Sequence, residues 1–143
     1  AIEDAQSMMN EGYRNSSVYG MLGYFKLLRN DDLDETTKLC EEAYDYNSDD
    51  RDIKDNLSIC YFRKGEYEKA EKISDELVVA APNFVEGFYH GIQIAMKLNK
   101  YDKAAEYAEK LKECKRSGMT TVTEEEVNKL IQEVKNHNEN TIG

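Results

Sequence analysis

Two histidines, three cysteines and a surplus of acidic residues are the side chains with which this chain could do chemistry. Cys40, Cys60 and Cys114 lie far apart, with no CxxC pair and no histidine beside them, so neither a zinc site nor a redox motif is legible. Their odd number also argues against a disulfide framework. Each falls within an apolar helical stripe, where free cysteine acts as a small hydrophobe, and a reducing, cytoplasmic setting is the expectation that follows. There is no GxSxG, no HExxH, no glycine-rich phosphate loop and no cysteine–histidine signature. Carboxylates at this density on helices are solvated faces or i,i+4 partners of lysine, as Glu106 is of Lys110. No nucleophile, base and oxyanion partner select themselves. The expectation is a chain with no catalytic residues, no metal ligands and no cofactor, and not an enzyme. His137 falls in a C-terminal "HNENTIG" expected to fray. His90 is read as an ordinary surface or half-buried histidine, singled out only by its place in the repeat described below.

The elements that would position a binding surface are better written. The 143 residues are one domain's worth, 40% hydrophobic and 34% charged with a single proline, a balance suited to ordered helices. A net charge of −10 would repel phosphate backbones and anionic lipid, so nucleic acid is not an expected partner. No apolar run approaches the roughly 18 residues that span a bilayer, and "AIEDAQSMMN" lacks the basic-then-apolar order of a signal peptide. Starting at Ala1 without methionine, the chain reads as a piece of something longer.

"KGEYEKAEKI" at 64–73 has a relative, "LNKYDKAAEY", at 98–107. Tyr67 and Tyr101 are 34 residues apart, and at that offset Glu68 pairs with Asp102, Lys69 with Lys103, Ala70 with Ala104 and Leu77 with Leu111. A weaker copy, "DDLDETTKLCEEA", lies 34 residues further back, giving units 17–50, 51–84 and 85–118. Gly65 sits where a first helix must stop and the chain reverse, a place that favours a left-handed residue. At the same offset Asn99 and Asp31 take that place, the side chain types that tolerate it next best. Ala70 and Ala104 would let two helices approach closely, where Thr36 should force a wider crossing. Tyr67 and Tyr101 supply a large wedge between paired helices. Pro82 ends one unit and Asn83 is placed to cap the next helix.

A 34-residue period of helix–turn–helix units resembles the tetratricopeptide repeat family over about 102 of the 143 residues. Leu57, Tyr61, Gly65, Tyr67, Ala70 and Pro82 match its pattern in the central copy, with Ser58 in place of the usual glycine and Lys54 of the usual tryptophan. Phe88, Tyr101, Ala104 and Leu111 match in the third. The first copy departs most, its Leu-Gly pair in "MLGYFKLLRNDDL" standing one residue out of register. The resemblance implies an all-α fold, a right-handed superhelical α-solenoid of about three repeats with flanking terminal helices, as a single domain.

The helices are expected near 17–29, 33–46, 51–63, 67–80, 84–98 and 101–115. Residues 1–16 read as a partial repeat or N-terminal helix, with Ile2, Ala5, Met9 and Tyr13 along one stripe. Residues 119–143 read as cap and tail: Thr123 and Glu126 have capping-box spacing, and Val127, Leu130, Ile131 and Val134 share one face of a helix at about 123–136. Such a helix would close the stack's last apolar face.

The family's concave groove is lined by the first helix of each pair, and the resemblance carries its positions onto Asp52, Asp55, Asn56, Ile59, Phe62 and Arg63, then Glu86, Tyr89, His90, Gln93, Met96 and Lys97. In the first copy the same frame gives Val18, Met21, Leu22, Phe25 and Arg29, with Tyr24 and Leu28 entering if it slips by one. The family's carboxylate clamp needs inward lysines, arginines and asparagines. Here Asn56 fits, but the basic places read Met21, Glu86 and His90, so chaperone C-terminal tails are not expected ligands. The implied function is a protein–protein interaction module, adaptor or scaffold, for a peptide or helix with basic and apolar side chains. The alternatives are a structural spacer or homo-oligomeriser, and a regulatory piece of an enzyme whose catalytic part lies elsewhere. The sequence does not set the oligomeric state.

Overall fold

In a computed structural model the described residues are 2–12 and 15–142, without the side chains of Ile2, Asn140, Thr141 and Ile142. They form eight helices and no strand: α1 Ile2–Asn10, α2 Ser16–Leu28, α3 Leu33–Tyr46, α4 Arg51–Arg63, α5 Tyr67–Ala80, α6 Val85–Lys97, α7 Tyr101–Glu113 and α8 Glu124–Ile142. The chain divides into two compact units, Ala1–Ile73 and Ser74–Gly143, the boundary falling within α5. Each is described by itself.

Side-chain caps start four of the helices. Asn15, Asp32 and Asp50 accept the backbone N–H three residues on, at 3.0 Å, and open α2, α3 and α4. Thr123 Oγ1 accepts from Glu126 N–H in the same way before α8. Asn83 does not cap α6: Phe84 holds that place without a side-chain bond, its N–H turned back to the Ala81 carbonyl.

The first-helix ends share one closure. Asn30, Gly65 and Asn99 are left-handed, with φ of 55°, 79° and 59°. In each copy the next N–H reaches back five residues: Asp31 to Lys26, Glu66 to Tyr61 and Lys100 to Ala95. The left-handed place in the first copy thus belongs to Asn30, not Asp31. Four residues join α2 to α3 where three join α4 to α5 and α6 to α7, so the first copy's first helix sits one residue earlier than a strict 34-residue offset requires. Asp31 instead takes the Arg29 guanidinium, at 3.0 and 2.7 Å.

In the first unit α1 packs on α2, and α2, α3 and α4 all touch one another. Ala5 and Met9 of α1 join Val18, Tyr19, Leu22, Ala43 and Ile53 in one core cluster, which is how a second helix would lie on the first helix of the next repeat. Tyr13 and the Ile2 side chain of the expected stripe lie outside the described residues. A second cluster holds Leu27, Cys40, Leu57, Cys60 and Ile73. Ala70 is fully buried, as its small size requires. Thr36, at the corresponding place, is 1% exposed and its Oγ1 has no hydrogen-bond partner.

In the second unit α6, α7 and α8 repeat that three-way contact, with α8 where a further first helix would stand. Leu130 and Val134 are buried and Val127 and Ile131 half-buried against Phe88, Ile92, Ala104, Tyr107 and Leu111. The apolar face of α8 therefore closes this unit. Tyr107 is fixed twice, edge-on to Phe88 and donating its hydroxyl to Asp75 at 2.9 Å. The described part of the tail expected to fray is helical: α8 runs through Ile142, and His137 stacks on Tyr101 with centroids 3.6 Å apart.

Candidate partner-binding surface

The first helices carry the residues named above for a groove, apart from Arg29, which is the C-cap of α2. On α2, Val18 and Leu22 are core, 4% and 1% exposed, whereas Met21 and Tyr24 are more than a third exposed and Leu28 is 60% exposed. The one-residue shift of the first copy brings Met21, Tyr24 and Leu28 to the places of Asn56, Ile59 and Arg63. Phe25 is half-buried against Tyr24, ring centroids 5.8 Å apart, and Arg29 is exposed and paired with Asp31.

On α4, Asp52 is exposed, and its Cβ lies 3.5 Å from where a Cβ at Gly20 would stand. Asp55 and Asn56 are buried, and Asn56 donates through Nδ2 to the Gly20 carbonyl at 2.9 Å. Gly23 lets this happen, since a Cβ there would meet Asn56 Nδ2 at 2.9 Å and Cys40 Sγ at 3.2 Å. Ile59 and Phe62 are half-buried, Phe62 edge-on to Tyr67, and Arg63 bonds the Leu27 carbonyl at 3.0 Å. The contacts run 52 to 20, 56 to 20 and 63 to 27, so α4 lies parallel to α2.

On α6, Glu86 is buried and its Oε1 accepts the Thr121 N–H at 2.9 Å, tying down the connection into α8. Tyr89, His90, Gln93 and Met96 form a half-buried strip with Lys97 exposed at its end. Tyr89 and His90 meet edge to face at 5.6 Å. Burial, then the charges of Glu126 and Glu133, raise the Tyr89 hydroxyl pKa. Those two α8 glutamates escaped the sequence reading, which treated α8 only as a cap. Their signal was available: they lie seven residues apart on one flank of the Val127, Leu130, Ile131, Val134 stripe.

Contact with Cys60 and burial push the Cys40 thiol up and burial does the same at Cys114, whereas contact with Cys40 lowers the Cys60 thiol. Among the described residues no three histidine, cysteine, aspartate or glutamate side chains gather as metal ligands would. No described helix is long and apolar enough to cross a membrane.

Residues 27–87 match the tetratricopeptide repeat family model. Over that stretch the chain resembles the tetratricopeptide repeat. No curated protein matches it in sequence, but solved structures share its fold. The tetratricopeptide repeat domain of Sgt2 from Aspergillus fumigatus superposes with a TM-score of 0.74 at 17% identity, over 88% of this chain and 80% of that one. The first such domain of Spaghetti (RPAP3), bound to the HSP90 peptide SRMEEVD, gives 0.71 at 15%, over 85% and 91%. YrrB, described as having an unusual peptide-binding site, gives 0.74 at 16%, over 94% and 66%. The resemblance to tetratricopeptide repeats and the all-α solenoid fold that it implied stand.

Proposed function

We propose that this tetratricopeptide repeat chain is a protein-interaction module, an adaptor or scaffold that takes a peptide or helix of a partner protein on its first-helix faces. The observation that carries this is the α6 strip, where Tyr89, His90, Gln93 and Met96 stay half open beside a closed core. Large side chains in that state are the usual anchors of an interface. The partner differs from the acidic peptide bound by the Spaghetti domain. With the first copy shifted by one, the basic places of such a clamp are Gly20, Glu86 and His90 here, and Asn56 is already committed to the Gly20 carbonyl. A segment with basic and apolar side chains fits this chain's charge of −10 better.

Affinity capture from the source organism's lysate tests the reading, comparing wild type with Tyr89→Ala plus Gln93→Ala after both are shown to be folded by circular dichroism. Proteins retained by the wild type and lost by the variant are the expected result. Identical captures would overturn the α6 face as the binding surface.

The spacer or oligomeriser reading has an observation of its own, the exposed Met21, Tyr24 and Leu28 stripe of α2. Light scattering across concentration tests it: a mass that rises with concentration, and returns to monomer with Leu28→Lys, would favour self-association through α2.

A further inference from the structure

We infer that α2 carries an open seat, built from Ser17, Met21, Tyr24 and Leu28, for one helix of a partner protein that is apolar along the contact and bears small residues three apart. This rests on the interaction-module reading above and gives it a surface in the first unit.

The geometry comes from a docking of the same kind that the first unit already contains. Helix α4 rests on α2 through Asp52, Asn56 and Arg63. The Asp52 Cβ stands 3.5 Å from the place of a Cβ at Gly20, Asn56 bonds the Gly20 carbonyl at 2.9 Å and Arg63 the Leu27 carbonyl at 3.0 Å. The N-caps Asn15 and Asp50 are 35 residues apart, so the same places on α2 are Ser17, Met21 and Leu28, with Tyr24 standing for Ile59. All four are exposed. Their spacing of four, three and four residues puts them on one stripe along the helix, the spacing at which two helices pack side by side. The side by which α4 is held is therefore open on α2. Helix α1 lies on another side, its Ala5 and Met9 clustered with Val18 and Leu22.

Chemistry names the occupant. Asn56 and Arg63 hold carbonyls of the helix beneath them, whereas Met21 and Leu28 in the same places have nothing to donate, so the contact must be apolar packing. Residues 16–28 also hold no acidic side chain, in a chain of net charge −10. Helix α2 admits α4 because Gly20 and Gly23 leave room: a Cβ at Gly23 would stand 2.9 Å from Asn56 Nδ2. Methionine is longer than asparagine, so a helix seated on Met21 needs small residues at the places of Gly20 and Gly23. A second copy of this chain is a poor fit. Its helical glycines, Gly20, Gly23, Gly87 and Gly91, already stand against side chains, and it brings the same negative charge. A helix of another protein, laid parallel to α2 as α4 is, meets both demands.

The probe is a helical peptide of about 18 residues, enough to span α2, with a leucine stripe that contains two alanines three apart and with lysines on its outer face. Its control has leucine at both alanine places. Fluorescence anisotropy should show the alanine peptide binding about fivefold tighter or more, the lower end of what overpacking costs; mere hydrophobic adhesion would favour the control. Met21→Glu plus Leu28→Glu should cost about tenfold or more. Val79→Glu plus Met119→Glu, the same change at two exposed apolar positions elsewhere, should cost less than about twofold. Equal affinity of the two peptides, tighter binding of the control, or equal losses in the two double variants would overturn the seat. So would a mass in light scattering that rises with concentration and reverts with Leu28→Lys, because a second copy would then be the occupant. Lysate capture separates the failures. If the seat falls while Tyr89→Ala plus Gln93→Ala still loses captured proteins, the module stands. If neither that variant nor Met21→Glu plus Leu28→Glu loses any, both fall.

Discussion

Tyr101 lies face to face with His137, ring centroids 3.6 Å apart and planes 27° from parallel, so the first residue of α7 holds the fourth turn of α8. Tyr101 is itself oriented, its hydroxyl donating to Asn99 Oδ1 at 2.6 Å. A stacked pair contributes about 0.5–1.5 kcal/mol beyond its buried area. His137→Ala should lower stability by about that much and deprotect the amides of the last two described turns of α8 in hydrogen exchange, leaving α6 unchanged. Unaltered exchange would show that α8 holds its end without the stack.

Gly20 and Gly23 of α2 should answer alanine with opposite signs. At Gly20 the new Cβ meets Asp52 at an ordinary 3.5 Å, so Gly20→Ala gains helix propensity, about 0.5–1 kcal/mol. At Gly23 it would press on Asn56 Nδ2 and Cys40 Sγ, and Asn56 cannot retreat without releasing the Gly20 carbonyl. Overpacking costs about 1–3 kcal/mol, more than the propensity returns. Urea denaturation of the two variants gives the signs directly.

Thr36 and Thr37 are both buried, but only Thr37 has a use for its hydroxyl, which donates to the Leu33 carbonyl at 2.7 Å. The Thr36 hydroxyl has no partner. Thr36→Val keeps the shape and removes an orphaned polar atom, and should stabilise by about 1 kcal/mol or more. Thr37→Val should be neutral or destabilising. A lower melting temperature for Thr36→Val would mean that water reaches the site.

Tyr61 ties stability to alkaline pH. Its burial, and its hydrogen bond to Glu41 at 2.8 Å, raise the hydroxyl pKa above the ordinary value of about 10. A raised folded pKa means that the contribution is whole below about pH 10 and is lost as pH climbs from there toward the folded value, because the unfolded chain releases its proton first. Tyr61→Phe should therefore flatten the loss of stability above pH 10, read as the urea midpoint at pH 9 and pH 10.5. An unchanged slope would assign the alkaline loss to other groups.

The 34-residue period was written in the sequence because each repeat must solve the same local problem with the same residue types: alanine where helices cross, tyrosine at the head of the second helix, glycine or asparagine where the first helix turns over. Those demands are local, so the six repeat helices and the α8 cap could be read within two or three residues of their starts. Three things needed the tertiary structure. Asn30 rather than Asp31 takes the left-handed turn because one extra residue fits between α2 and α3, a shift that a repeat offset averages away. Asn56, Asp55 and Glu86 look like groove residues in sequence but are buried by neighbours far along the chain, and two of them are spent on Gly20 and Thr121. The tail looked free because nothing in "HNENTIG" announces a partner, and that partner, Tyr101, is 36 residues upstream. Periodicity reports what every repeat shares, while burial and pairing depend on which helix happens to lie alongside, and only folding brings that helix there.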